Sequence, residues 1–313
     1  MQNYERNNKK IFEAFLKLKT ENPQAIEKRL NLSWSNWVFG LERLEDSIKR
    51  LEKNGIKYIE LHGNRYGADL GYKSENANKI LSDHGMKCSG ICGMFSSECE
   101  LASNSGQVRQ NAIDYLKRNI ELGAEVGAKY FLIVPGAVGR PEKIDESEFE
   151  RSAETLRIVA PLFEETGIRG AVEPIRSAEV SIVHTFEEAI RYIEAVGSPG
   201  VQHINGDVYH MQVEEDHISA TIWQCGARLT NLHLADSNRR ALGLGSLNID
   251  TLIMALYLIG YNNESCFATP EPLGPGGDPY PAMFGRPDND LLDDLVKTTV
   301  STWNEREEYI RSL

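Results

Sequence analysis

The chain has 313 residues, 41% apolar and 26% charged, enough to bury a sizeable core, and its formal charge of −12 opposes a general affinity for polyanions such as nucleic acid. Cys88, Cys92, Cys99, Cys225 and Cys266 form neither an even disulfide framework nor a zinc-finger spacing, so they read as reduced thiols. The stretch Met1 to Gln24 lacks the continuous apolar core of a signal peptide and no later run approaches a membrane span, which points to a cytoplasmic protein acting on a small neutral or polar molecule.

A helix over residues 9 to 22 comes first, suited to covering one end of the fold or contacting another subunit. Short β-rich runs then alternate with longer amphipathic stretches. The strand-like runs are WSNWVF (34 to 39), IKYIEL (56 to 61), KCSGI (87 to 91), KYFLIV (129 to 134), RGAVE (169 to 173), VQHIN (201 to 205), LTNLHL (229 to 234) and SCFATP (265 to 270). Helix-like stretches fall near 42 to 54, 75 to 85, 107 to 127, 147 to 167, 186 to 196, 215 to 226, 248 to 259 and 288 to 311. Gly55, Gly85, Gly127 and Gly167 each close a helical pattern just before a strand, where a left-handed turn needs a residue without a β-carbon.

Eight such units select an α/β fold, a closed (β/α)8 TIM barrel with an extra N-terminal helix, over an open doubly wound sheet. Neither GxGxxG nor GxxxxGK[ST] occurs, so no dinucleotide or nucleoside triphosphate site is indicated. The expected organisation is one barrel domain over 1–313, with residues 1–30 as a helical extension and 271–288 as a Gly/Pro-rich active-site loop.

Glu173, Asp207, His233 and Glu271 each end an apolar run, at intervals of 34, 26 and 38 residues that suit successive strand-helix units. Side chains at the C-terminal ends of barrel strands share one mouth, so these four are expected to converge. A single acid there reads equally well as a helix cap or an ion-pair partner. Four together are unfavourable without a cation, and three carboxylates with one imidazole suit Mn2+ first, then Mg2+ or Co2+. Glu60 and His62, in IELHGN, end the second run and reach toward the same mouth, His62 as a candidate substrate contact, although strand-end polar residues also anchor loops. Trp34, Trp37 and Phe95 read as core residues before they read as an apolar wall of a ligand pocket.

The motifs VEPIRSAEV (172 to 180), DVYHM (207 to 211), HLADSNR with GLGSLN (233 to 239 and 243 to 248) and EPLG (271 to 274) resemble those of the xylose-isomerase-like sugar isomerases and epimerases, especially ketose 3-epimerases of the tagatose or psicose type. The resemblance covers nearly the whole barrel. It implies that Glu173, Asp207, His233 and Glu271 hold the metal and that Glu173 and Glu271 also move protons. It further implies that Glu179, His210 and Arg239 contact substrate oxygens. Taken singly, Glu179 reads as a surface acid, His210 as a histidine satisfied by a neighbour, and Arg239, next to Arg240, as a solvated charge.

The expected activity is proton abstraction beside the carbonyl of a keto sugar through a metal-stabilised enediolate, in a homo-oligomer. Catalytic subunits of C-glycoside deglycosidases resemble the same barrel. There the outcome is carbon–carbon cleavage of a 3-oxo-glycoside, in a hetero-oligomer with a small partner subunit. A non-catalytic sugar-binding barrel leaves both glutamates unexplained, and a metal endonuclease needs a basic face that this chain lacks. Tyr280 and Phe284, in the loop after Glu271, are placed to shape the substrate pocket.

Overall fold

Among the described residues, seven strands form a single sheet in which each lies parallel to the next in chain order: β1 (Tyr58–His62), β2 (Lys87–Cys92), β3 (Tyr130–Ile133), β4 (Arg169–Val172), β5 (His203–Asp207), β6 (Leu229–Leu234) and β7 (Phe267–Pro270). The computed structural model describes residues 1–63, 71–273 and 288–313. Residues 31 to 35 complete the circle: Ala268 N donates to Asn31 O, Ser33 N to Ala268 O, and Glu60 N to Trp34 O, joining β7 to β1. The fold is the expected TIM barrel.

The first expected strand is displaced. Its extended part is residues 32 to 35, and Asn36–Phe39 turns into a 3-10 helix. Asn36 is the reason: its side chain accepts from His62 N at 2.9 Å and donates to the Tyr72 hydroxyl at 2.7 Å, bonds a ladder position would not allow. Trp34 and Phe39 then stack, with ring centroids 5.9 Å apart.

The outer layer comprises α1 (Asn3–Glu21), α2 (Leu44–Glu52), α3 (Ser74–Asp83), α4 (Gly106–Glu125), α5 (Glu148–Thr166), α6 (Phe186–Val196), α7 (Val208–Glu214), α8 (Ile218–Cys225), α9 (Ile249–Leu258) and α10 (Asn289–Ser312). Gly55, Gly85, Gly127 and Gly167 all have the positive φ that was expected of them. The N-terminal helix begins earlier than its periodicity suggested and packs sideways on α8 and α9, burying Ile11 and Phe15 and setting Phe15 against Tyr257. The helix expected over 215 to 226 is α8, and a short helix that was not expected, α7, precedes it, because Asp207 caps a helix that starts directly after β5, its side chain accepting from Tyr209 N.

Strand alternation sorts the core into two compartments. Ile59, Leu61, Phe131, Ile133, Val172, Ile204, Leu232 and Leu234 point outward and pack under the helices. Tyr58, Tyr130, Ala171 and Phe267 form a separate cluster inside the barrel. Polar groups dominate the interior toward the C-terminal ends of the strands. Glu60, Ser33, Ser89, Asn205, Asn231 and Thr269 are all fully buried there.

Candidate active site

The ladder places the four expected acid and imidazole side chains at one depth. Asp207 pairs with His233 in register between β5 and β6. Glu173 and Glu271 stand one residue beyond β4 and β7, where the ladder continues through Glu173 N to Ile133 O and Glu271 N to Leu234 O. All four side chains are buried. His233 Nδ1 lies 3.6 Å from Glu173 Oε1 and 3.4 Å from Glu271 Oε2. Asp207 Oδ2 lies 3.3 Å from His210 Nε2.

Two knots of donor atoms, each within 4.8 Å of one another, share this space: Glu173, Asp207 and His210 in one, and Glu60, Cys92, His233 and Glu271 in the other. The expected tetrad spans both. On its far edge, His233 Nε2 sits 3.0 and 3.1 Å from the two Glu60 oxygens. Burial disfavours a charged His233, yet the Glu271 and Glu60 charges, with the hydrogen bond to Glu60 and the nearby Glu173 carboxylate, outweigh it, holding the imidazolium well above the usual histidine range. Burial also works against an ionised Glu60, but the His233 charge and hydrogen bonds from His233 and Tyr130 win, keeping that carboxyl below its usual range. Glu271 goes the other way: burial, with Asp207 and Glu60 nearby, pushes it up to about 8 despite His233.

Such a knot is short of positive charge, and protons fill the deficit. A divalent cation would replace them. His233 Nδ1 is buried without a hydrogen-bond partner and faces the Glu173 and Glu271 carboxylates, which is how an imidazole ligand is presented. The donor set therefore fits a divalent ion. Its oxygen-rich make-up suits the harder metals, and Cys92 is a poor ligand, since burial and the surrounding carboxylates push its thiol well above the usual range.

Of the other candidates, His210 and Arg239 border this cluster, His210 through Asp207 and Arg239 near enough to Glu271 to bear on its charge. Arg239 is 5% exposed, with Nε and Nη1 buried and unpartnered, and its guanidinium lies 4.4 Å from the centroid of the Tyr209 ring. Arg176 lies 4.7 Å from that ring and donates to Glu179 at 2.6 Å. His210 Nδ1 is likewise buried and unpartnered. His62 Nε2 is 3.0 Å from the Tyr72 hydroxyl, and burial lowers its pKa to about 4, so the ring is neutral. Trp34, fully buried against Phe39, and Phe95, packed on Tyr115 and Phe131, are core residues. Tyr280 and Phe284, with most of the loop after Glu271, lie outside the described residues.

Three features were not singled out from the sequence. The inward polar layer beneath the tetrad had a visible signal, because Asn205, Asn231 and Thr269 each sit two residues before a tetrad member and so share its face. Asp236 organises the loop that carries Arg239, with its carboxylate accepting from the backbone N–H groups of Ser237, Gly243 and Leu247. A β-carbon at Gly245 would come within 2.2 Å of Asp236 Oδ1, which accounts for the glycine in GLGSLN. Arg176 is the third, and only proximity to Tyr209 reveals it.

A parallel barrel with such a cluster at the strand ends defines a class, and the chain belongs to the xylose isomerase-like TIM barrel family, whose model matches residues 48–285. It is 26% identical over 231 residues to the ketose 3-epimerase of Arthrobacter globiformis, covering 73% of this chain and 78% of that protein. To the D-psicose 3-epimerase of Ruminiclostridium cellulolyticum it is 31% identical over 175 residues, 54% of this chain and 59% of the relative. To the 3-dehydro-D-guloside 4-epimerase of Escherichia coli it is 24% identical over 242 residues, 74% and 89% of the two chains. A solved L-ribulose 3-epimerase superposes with a TM-score of 0.75 at 19% identity, covering 91% of this chain and 96% of the other, which supports the fold. No helix among the described residues is long and apolar enough to cross a membrane.

Proposed function

We propose that the protein is a sugar epimerase or isomerase that exchanges the proton on a carbon next to a carbonyl. The observation that carries this reading is the placement of Glu173 and Glu271, which reach His233 Nδ1 from strands separated by two others. One carboxylate removes the proton from one face of the substrate. The other returns a proton to the opposite face, inverting the centre. His210 and Arg239 hold the substrate oxygens as negative charge builds on the enediolate, and the unpartnered Arg239 N–H groups are free to do so. Glu173, Asp207, His233 and Glu271 would hold a divalent ion of the manganese class, which when bound supplies Lewis-acid polarisation of the carbonyl. The kinship with sugar epimerases supports the carbohydrate substrate.

The test is wash-in of solvent deuterium. Glu173→Gln and Glu271→Gln should each cut exchange into a keto sugar by about 10^2- to 10^4-fold, the usual contribution of a positioned acid or base. Exchange that persists at the parental rate in either variant removes that residue from proton transfer.

A second substrate reading is a 3-oxo-glycoside. The kinship with a 3-dehydro-D-guloside 4-epimerase over 89% of that enzyme's length favours it. Screening exchange across free ketoses and 3-oxo-glycosides separates the two, and release of an aglycone from a 3-oxo-C-glycoside would mark carbon–carbon cleavage as the outcome.

A further inference from the structure

Glu60 is the one carboxylate of the cluster that the proposed chemistry does not use. It lies within β1, fully buried, one layer below the mouth. Its contacts are those of an anchored group: Oε2 accepts from the Tyr130 hydroxyl at 2.6 Å and from Asn231 Nδ2 at 3.3 Å, and both oxygens face His233 Nε2. The layer continues sideways. Thr269 Oγ1 donates to Asn231 Oδ1 at 2.6 Å, Asn231 Nδ2 donates to Asn205 Oδ1 at 2.7 Å, and Asn205 Nδ2 donates to Glu173 Oε1 at 3.1 Å.

An imidazole has two distinct edges, and whichever nitrogen donates a hydrogen bond leaves the other as the lone-pair donor. We propose that Glu60 is the positioning residue of this centre, holding the Nε2–H of His233 so that Nδ1 presents its lone pair toward Glu173 and Glu271, while the Asn231–Asn205 chain aims the Glu173 carboxylate at the same point. The inference rests on the metal-site reading above. Glu60 stands on the far edge of the ring from the orphaned Nδ1, so an ion held at Nδ1 is outside its reach. A carboxylate behind a ligating histidine fixes the ring and raises its basicity, and removing such a partner commonly weakens metal binding by about 10- to 100-fold.

The alternative is an ion on the Nε2 edge, with Glu60, Cys92 and Glu271 as ligands. It would have to displace Glu60 from His233 and break into the hydrogen bonds from Tyr130 and Asn231. That costs buried partners at every step.

The experiment is calorimetric titration of chelator-stripped protein with MnCl2, in the parent chain, Glu60→Gln, Tyr130→Phe and Asp207→Asn, with circular dichroism and melting of each stripped protein as a folding check. Expected is about 10- to 100-fold weaker binding in Glu60→Gln, a smaller loss in Tyr130→Phe, which keeps the carboxylate, and a larger one in Asp207→Asn. Imidazole 15N NMR of the MgCl2-loaded parent should show His233 protonated at Nε2 alone, and that signature should be lost in Glu60→Gln. A purely structural role for Glu60 leaves the tautomer unmoved. Unchanged affinity in Glu60→Gln overturns the inference, and a loss as deep as that of Asp207→Asn also overturns it by making Glu60 a ligand. If Glu60→Gln itself fails to fold, Tyr130→Phe and the NMR of the parent decide: parental affinity in the former, or a His233 protonated at Nδ1 in the latter, sinks the idea. A parent chain that binds neither ion brings down the metal reading, and this inference with it.

Discussion

Arg239 adopts φ 59 although it carries a long side chain, a conformation that non-glycine residues reach at a cost of about 1–3 kcal/mol. The cost is offset locally by Arg239 N donating to Asp236 O at 2.7 Å and by the guanidinium resting on Tyr209. Neighbouring Arg176 is paired with Glu179, whereas Arg239 keeps buried N–H groups without partners. Arg239→Ala should therefore raise the KM for the sugar by about 10- to 100-fold, the loss expected for a hydrogen bond to a charged group, with a smaller effect on the proton-exchange step. Steady-state kinetics with deuterium exchange separates the two. A KM at the parental value would show that Arg239 serves the loop and not the substrate.

At the scale of elements, the alternation in YIELH, VQHINGD, LTNLH and FATPE made both the strands and the depth of the tetrad legible. The first strand and α7 were not legible, for one shared reason: in each, a side chain bonds to backbone or to a distant residue. Asn36 bonds to His62 N and Tyr72, and Asp207 bonds to Tyr209 N, and periodicity carries no trace of either. Arg239 was reachable through motif spacing, whereas the strain that presents it belongs to the Asp236 loop and exists only in three dimensions.

The start of β5 carries a pH-sensitive group of its own. Burial, reinforced by the Arg169 charge, lowers the His203 pKa to about 4, so the unfolded chain takes up a proton near 6.5 that the fold refuses. The fold thus binds fewer protons than the unfolded chain between those values, and stability falls as pH drops from about 6.5 toward 4. Denaturant midpoints across that window should be flatter for His203→Gln than for the parent; identical slopes would show that other groups set the acid limb.

For the whole molecule, closure of the barrel depends on residues far apart in the chain. Buried Glu307 in α10 accepts from Leu30 N at 2.8 Å, the Tyr257 hydroxyl at 2.8 Å and Arg29 Nη1 at 3.2 Å, tethering the segment that joins β7 to β1. Glu307→Ala leaves the buried Leu30 and Tyr257 donors unpaired and should cost about 2–4 kcal/mol in urea unfolding. A change under about 0.5 kcal/mol would place the anchorage elsewhere.

On the proposed metal reading, removal of the ion would act on the same global equilibrium. Stripping with chelator should lower the melting temperature, and restoring MnCl2 to about 100 times its Kd should return about 2.7 kcal/mol. Because Glu271 holds its proton up to about 8 in the metal-free cluster, the ion must displace that proton, and affinity should rise as pH is raised toward 8. A melting temperature indifferent to both chelator and manganese would sink the metal centre.

The division between ladder and loop has a consequence for engineering. Glu173, Asp207, His233, Glu271 and the polar layer under them are fixed by strand hydrogen bonds, whereas Glu179, His210 and Arg239 ride on the connections that follow. A library confined to those connections would sample new substrates while leaving the proposed proton-transfer pair in register. Conversely, grafting the tetrad alone onto another barrel would yield a mouth without its foundation, because half of the design lies one pleat below the residues that would be copied.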